Sequence, residues 1–281
     1  MNTLSHSQQK VPVWNRRIDM NFQIRGQGPA LIYFHPAAGL GWDPFLEKLA
    51  ESYTVYAPEF PGTTLGNPYA IHQVDDLADA VLIYEEAIRG MNLSGAVAVG
   101  QSFGGMVALE IAAAFPGDFS KLIVLDPIGL WRAEAPVANW IEAPPDKLPA
   151  MLFKDPAHPA AQAMLAMPTE PEAAVVATAQ LVWNLGATGK MVWPIPDRGM
   201  EKRLHRVDAP TLIVWGEDDA TTVDRLGNHA AAKILLPGAT LLPLREFHAF
   251  APLEVRGEHS IELLYQRRIM KTDVGFFVQR E

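Results

Sequence analysis

Two rhythms of apolar positions alternate along the first 128 residues. Residues 30–35 (ALIYFH) form an apolar run too short for a helix and rich in strand formers. Residues 53–57 (YTVYA) repeat that signature and stop at Pro58. Residues 77–91 change period: Leu77, Val81, Tyr84 and Ile88 share one face at helical spacing. A second strand–helix pair follows in residues 96–100 (AVAVG) and 106–115, the latter ended by Pro116, and residues 121–126 (KLIVLD) read as another buried strand. Strands apolar on both faces, alternating with helices, predict an α/β protein built on a mostly parallel sheet flanked by helices.

From Pro127 to about Leu204 the pattern changes. Prolines crowd at 136, 144, 145, 149, 156, 159, 168, 171, 194 and 196, together with Trp131, Trp140, Trp183, Trp193, Met151, Met164, Met167 and Met191. Strand–helix alternation then resumes with residues 210–216 (PTLIVWG), a helix near 228–234, and residues 239–244 (ATLLPL). We therefore expect one core domain, residues 1–126 and 205–281, interrupted by a helical insertion at 127–204.

Composition narrows the function. A chain of 281 residues with 49% hydrophobic and 20% charged positions supports a sizeable folded core. Its net charge of -9 argues against nucleic acid as the main partner, because phosphate binding needs a basic footprint. The absence of cysteine excludes disulfides, cysteine-ligated metals and thiol catalysis. The first residues contain no apolar core of a secretory signal, and no apolar stretch approaches the roughly 20 residues needed to span a bilayer. The expectation is a cytoplasmic protein without membrane insertion; homo-oligomerisation stays open.

The most informative motif is Gly100-Gln101-Ser102-Phe103-Gly104-Gly105, placed where the strand 96–100 meets the following helix. With 21 glycines in the chain, chance supplies about 0.04 Gly-x-Ser-x-Gly matches, and fewer still at a strand–helix junction. Such a turn holds a serine in strained backbone geometry with its oxygen exposed at the sheet edge, and the glycines remove side chains that would collide there. A serine nucleophile needs a base, and the base an orienting carboxylate. Of the 8 histidines, only His35 and His248 directly follow strands on this edge, and His248 is the expected base. Asp219, three residues past Gly216, is the favoured acid, with Asp126 at the end of KLIVLD as the alternative. The oxyanion donors expected are the backbone N–H groups of Phe103 and Ala37; Pro36 has no N–H to offer, and His35 is expected to brace its loop by hydrogen bonds.

Taken together, RGQGPALIYFHPAAG (25–39), VGQSFGG (99–105), PTLIVWGEDD (210–219) and LREFHAF (244–250) resemble the α/β-hydrolase fold superfamily over roughly residues 12–254. The order serine, acid, histidine is that of the superfamily. The resemblance implies Ser102 as nucleophile, Asp219 as acid, His248 as base, Ala37 and Phe103 as oxyanion donors, and a helical cap at 127–204 inserted after the sixth strand. It implies a serine hydrolase of the carboxylesterase kind acting on a small-molecule ester, with no metal and no organic cofactor. Trp131, Trp140, Trp183 and Met151 are the expected substrate-contacting residues of the cap.

Three positions depart from the superfamily pattern. Pro36 replaces a glycine, Glu59-Phe60-Pro61-Gly62 stands where Asp-x-Pro-Gly-x-Gly is common, and the segment after Glu254 matches the usual C-terminal helix poorly. Two alternatives accompany the esterase reading. One is a C–C bond hydrolase of meta-cleavage-type diketones, in which an aromatic residue tends to follow the catalytic histidine; here that residue is Ala249. The other is a ligand-binding protein on a hydrolase scaffold.

Overall fold

The computed structural model describes residues 6–130, 139, 141–144, 146–153, 155–193, 197–216, 236 and 239–244. Eight strands form one sheet in the order β1-β2-β4-β3-β5-β6-β7-β8. They are β1 (His6–Val13), β2 (Ile18–Arg25), β3 (Ala30–Phe34), β4 (Thr54–Pro58), β5 (Ala96–Gln101), β6 (Phe119–Leu125), β7 (Thr211–Gly216) and β8 (Thr240–Leu244). The six strands from β4 through β8 in that order pair in parallel; β2 runs antiparallel to both β1 and β4.

Alternation explains why this sheet is buried on both faces. Ile32 and Phe34 of β3, Leu122 and Val124 of β6, and Ile213 and Trp215 of β7 enter one apolar cluster. Their neighbours Leu31 and Tyr33, Ile123 and Leu125, and Leu212 and Val214 enter the other. Successive side chains on a strand point to opposite faces, so runs apolar at every position need a cover on each side. Helices α2 (Leu77–Gly90) and α3 (Phe103–Ala114) supply the first cover, and α1 (Pro44–Ala50) contributes to the second. Each large side chain so buried stabilises the fold by about 1.5–3 kcal/mol.

The helices start where local chemistry allows. Asp43 caps α1 by accepting from Leu46 N–H at 2.9 Å, with Pro44 preset for the first turn. Asp76 caps α2 by accepting from Asp79 N–H at 3.0 Å. The expected apolar face of α2 is buried: Leu77, Val81, Tyr84 and Ile88, widened by Ala80, Ile83 and Ala87.

Between β6 and β7 the described residues contain α4 (Leu148–Leu152), α5 (Pro159–Leu165) and α6 (Pro171–Val192). Despite this long excursion, β6 and β7 lie side by side, with Leu122 opposite Thr211 and Leu125 opposite Val214. The expected helix near 228–234 lies outside the described residues. Among the described residues, no helix is long and apolar enough to cross a membrane.

Candidate active site

The turn from β5 into α3 places Ser102 in an unusual conformation, φ +52° and ψ -113°. A positive φ costs a non-glycine residue about 1–3 kcal/mol and persists only where the surroundings impose it. Here they do. Ser102 N–H donates to Leu125 O (2.8 Å), and Ser102 O accepts from Met106 N–H (3.1 Å) and Ile128 N–H (3.3 Å). The glycines make this packing feasible. A Cβ on Gly100 would lie 2.5 Å from Gly104 O, one on Gly104 2.1 Å from Phe34 O, and one on Gly105 2.9 Å from the Pro127 ring. The start of α3 is therefore pressed against the ends of both β3 and β6.

Ser102 makes no side-chain capping bond to α3. The first N–H groups of a helix have no acceptor within it, and the helix dipole places partial positive charge there. Phe103, the first residue of α3, carries one of these groups.

The loop after β3 supplies the facing wall. His35 is buried and held at both ring nitrogens: Nδ1 lies 2.8 Å from Pro36 O, and Phe60 N–H donates to Nε2 at 2.9 Å. Because Nε2 accepts, Nδ1 carries the proton and donates to Pro36 O, which defines a neutral imidazole. Burial pushes its pKa below the ordinary histidine value, against opposing pulls from the Pro36 carbonyl and the Glu59 charge. His35 thus braces the loop. Pro36 O also accepts from Gly39 N–H at 3.1 Å. In a trans peptide the N–H points opposite the carbonyl, so fixing Pro36 O on one side fixes Ala37 N–H on the other. Ala37 is buried, and its N–H has no partner among the described residues.

The two candidate acids differ in what is visible. Asp126 is 1% exposed at the end of β6, with φ +43° and its N–H donating to Val214 O at 2.9 Å. Two of the three residues that bond the Ser102 backbone, Leu125 and Ile128, flank it. Asp219 and His248 lie outside the described residues, as do Trp131 and Trp140. The strands leading to Asp219 and His248 end at Gly216 and Leu244, which are paired partners on the same sheet edge as Ser102.

Of the expected substrate-contacting residues that are described, Met151 is half-buried on α4. Trp183 is 37% exposed on α6, edge-on to the Tyr69 ring with centroids 6.1 Å apart. Glu59, at the family-variant position, accepts from Gln23 Nε2 at 2.8 Å. It helps to line a cleft of about 530 Å³ between α6 and the loops after β3 and β4, with Leu40, Thr63, Val176, Gln180 and Asn184.

Sequence reasoning missed one group. Gln180, Asn184 and Thr188 lie four residues apart on α6, with polar contacts to those same two loops. The available signal was three polar residues at helical spacing in the otherwise largely apolar 171–192 segment.

A model of the alpha/beta hydrolase family matches residues 31–253. Among curated proteins, the chain is 28% identical over 228 residues to a 2-hydroxy-6-oxo-6-phenylhexa-2,4-dienoate hydrolase of Burkholderia cepacia, covering 71% of this chain and 76% of the relative. It is 32% identical over 121 residues to a pimeloyl-(acyl-carrier protein) methyl ester esterase of Vibrio parahaemolyticus, covering 42% of this chain and 44% of that protein. Among solved structures, naproxen esterase from Bacillus subtilis superposes with a TM-score of 0.66 at 14% identity, covering 88% of this chain and 86% of that one.

Proposed function

The chain belongs to the alpha/beta hydrolase family, and on that premise we propose that it is a serine hydrolase cleaving carboxylic esters of small-to-medium, largely apolar substrates. The observation that carries this reading is the strained Ser102 turn, set between the first N–H groups of α3 and the braced loop bearing Ala37. In the reaction, Ser102 Oγ attacks the ester carbonyl while His248 takes its proton. The carbonyl oxygen becomes an alkoxide received by the Ala37 and Phe103 N–H groups. Collapse expels the alcohol, which takes the proton from His248, and leaves an acyl-enzyme. Water, deprotonated by His248, then releases the carboxylic acid and restores the serine. Each oxyanion donor contributes about 3 kcal/mol of barrier lowering. Asp219 orients His248 in this scheme, with Asp126 as the alternative, and the 127–204 segment acts as a cap whose apolar residues favour uncharged acyl or aryl groups.

A p-nitrophenyl ester series of increasing acyl length tests the reading. We expect turnover in the wild type, loss of at least about 10³-fold in kcat for Ser102→Ala, and a similar loss for Asp219→Asn but not Asp126→Asn. The reverse order for the two aspartates assigns the acid to Asp126. Absence of turnover across the whole series contradicts the esterase reading.

A second reading is favoured by the Burkholderia relative, whose similarity spans more of this chain than that of the Vibrio esterase: a C–C bond hydrolase of meta-cleavage-type diketones. Hydrolysis of such a ring-fission product, with inertness toward p-nitrophenyl esters, selects it.

A further inference from the structure

The loop that presents Ala37 is tied on its far side to α6. Asn184 Nδ2 donates to Ala38 O at 2.8 Å, and Thr188 Oγ1 lies 3.1 Å from Ala37 O. Both side chains are buried, Asn184 at 6% and Thr188 at 0% exposure. The Asn184 amide is oriented from behind, because its Oδ1 accepts from Gln180 Nε2 at 2.7 Å, leaving the NH2 for the loop. Gln180 Nε2 also reaches Thr63 O at 3.1 Å, so the same face of α6 grips the loop after β4. The Thr188 hydroxyl has one proton and a competing acceptor, its own helix's Asn184 O at 2.8 Å; Asn184 is therefore the stronger of the two ties. The loop approaches this closely only because residue 39 is glycine. Gly39 sits at φ +100°, and a Cβ there would lie 2.2 Å from Asn184 Nδ2.

These contacts complete a set. Three successive carbonyls, Pro36, Ala37 and Ala38, each accept a hydrogen bond: Pro36 from His35 and Gly39, Ala37 from Thr188, Ala38 from Asn184. The core fixes the peptide that carries Ala37 N–H, and α6 fixes the two peptides that follow. We propose that Asn184 and Thr188 are positioning residues of the oxyanion hole, so that α6, from the segment between β6 and β7, sets the aim of the Ala37 N–H. The proposal rests on the serine-hydrolase reading and deepens it. The insertion then does more than cover substrate: displacement of α6 removes two of the ties that hold a catalytic donor in place, so the hole is complete only when α6 is seated. Oxyanion donors act through placement, and a shift of about 1 Å costs on the order of 10²-fold in rate.

The test compares wild type, Asn184→Ala, Thr188→Val and Thr188→Ser on p-nitrophenyl butyrate. Each is also titrated with a trifluoromethyl ketone, whose hydrated-carbonyl adduct on serine mimics the tetrahedral oxyanion. We expect Asn184→Ala to lower kcat by about 10- to 100-fold with KM within about 3-fold, and to weaken ketone binding by the same factor as kcat/KM. Thr188→Val should show a smaller loss of the same kind, and Thr188→Ser should restore wild-type values. If Asn184→Ala does not fold, the Thr188 pair decides alone, since valine preserves threonine's shape. A raised KM with kcat and ketone affinity unchanged overturns the proposal, because it makes α6 a substrate contact only. Asn184→Ala and Thr188→Val both matching wild type also overturns it, while leaving the serine reading intact. A wild type that neither turns over ester nor binds the ketone overturns the serine reading, and this proposal with it.

Discussion

At the scale of single residues, the site rests on groups whose usual freedom has been removed. Ser102 keeps a positive φ because three backbone hydrogen bonds hold its two peptide units. His35 keeps a neutral ring because both nitrogens are committed to the backbone. Its folded pKa lies below its ordinary value of 6.5, chiefly through burial. The unfolded chain therefore binds a proton near that value that the folded protein refuses, and the folded state loses stability as pH falls from about 6.5 toward the lowered folded value. We expect the wild type to lose up to about 1.4 kcal/mol per pH unit in that window from this residue. His35→Gln should lack this component when urea unfolding is followed from pH 7 to pH 5. An unchanged pH slope in His35→Gln removes the assignment of a buried neutral imidazole. The strained turn at Ser102 was legible in the sequence because it is written in consecutive residues, Gly100 to Gly105. Asn184 and Thr188 were not, because their roles depend on carbonyls roughly 146 and 151 positions away along the chain.

At the scale of elements, the parallel strands were legible to within about two residues because each is an apolar run bounded by turn formers. The β1–β2 hairpin went unread. The β1 sequence HSQQKVPV is polar and exposed over its first five residues, as suits an edge strand, and its link to β2 runs through Trp14, Asn15 and Arg16, all at positive φ. The signal in β2 was the alternation Ile18, Met20, Phe22, all buried. Helix α1 has 7 residues, too few for a periodic pattern to stand out; its readable mark was Asp43-Pro44.

The return from α6 into β7 depends on α3. Arg203 makes a two-pronged contact with Glu110, Nε to Oε2 and Nη2 to Oε1, both at 2.7 Å, and Arg206 Nε donates to Ala113 O at 2.8 Å near the helix end. Glu110 is 5% exposed, so loss of its partner leaves a buried carboxylate uncompensated. Arg203→Met should lower unfolding free energy by about 2 kcal/mol, and Glu110→Gln combined with it should recover part of that loss. Strict additivity of the two substitutions in urea titrations shows that the pair is not coupled.

At the scale of the whole molecule, one sheet accommodates an excursion of some eighty residues because β6 and β7 remain neighbours across it. The strand–helix alternation on either side made the α/β architecture legible, and the change to proline-rich sequence marked the excursion. What the sequence could not give was the direction in which the excursion acts. Its longest helix turns a buried polar face toward the loop behind the nucleophile and leaves Val175, Val182 and Trp183 on its exposed side. On the proposals above, recognition of substrate and alignment of the hole become two properties of one helix.

The proposed activity stands or falls with Ser102 as the nucleophile. Its most direct test is treatment of the wild type and Ser102→Ala with a fluorophosphonate, followed by mass spectrometry of the intact chain and its peptides. We expect one adduct per wild-type chain, mapped to Ser102, with none in the variant. A wild type that stays unlabelled, or a label that maps elsewhere and survives in Ser102→Ala, would contradict it.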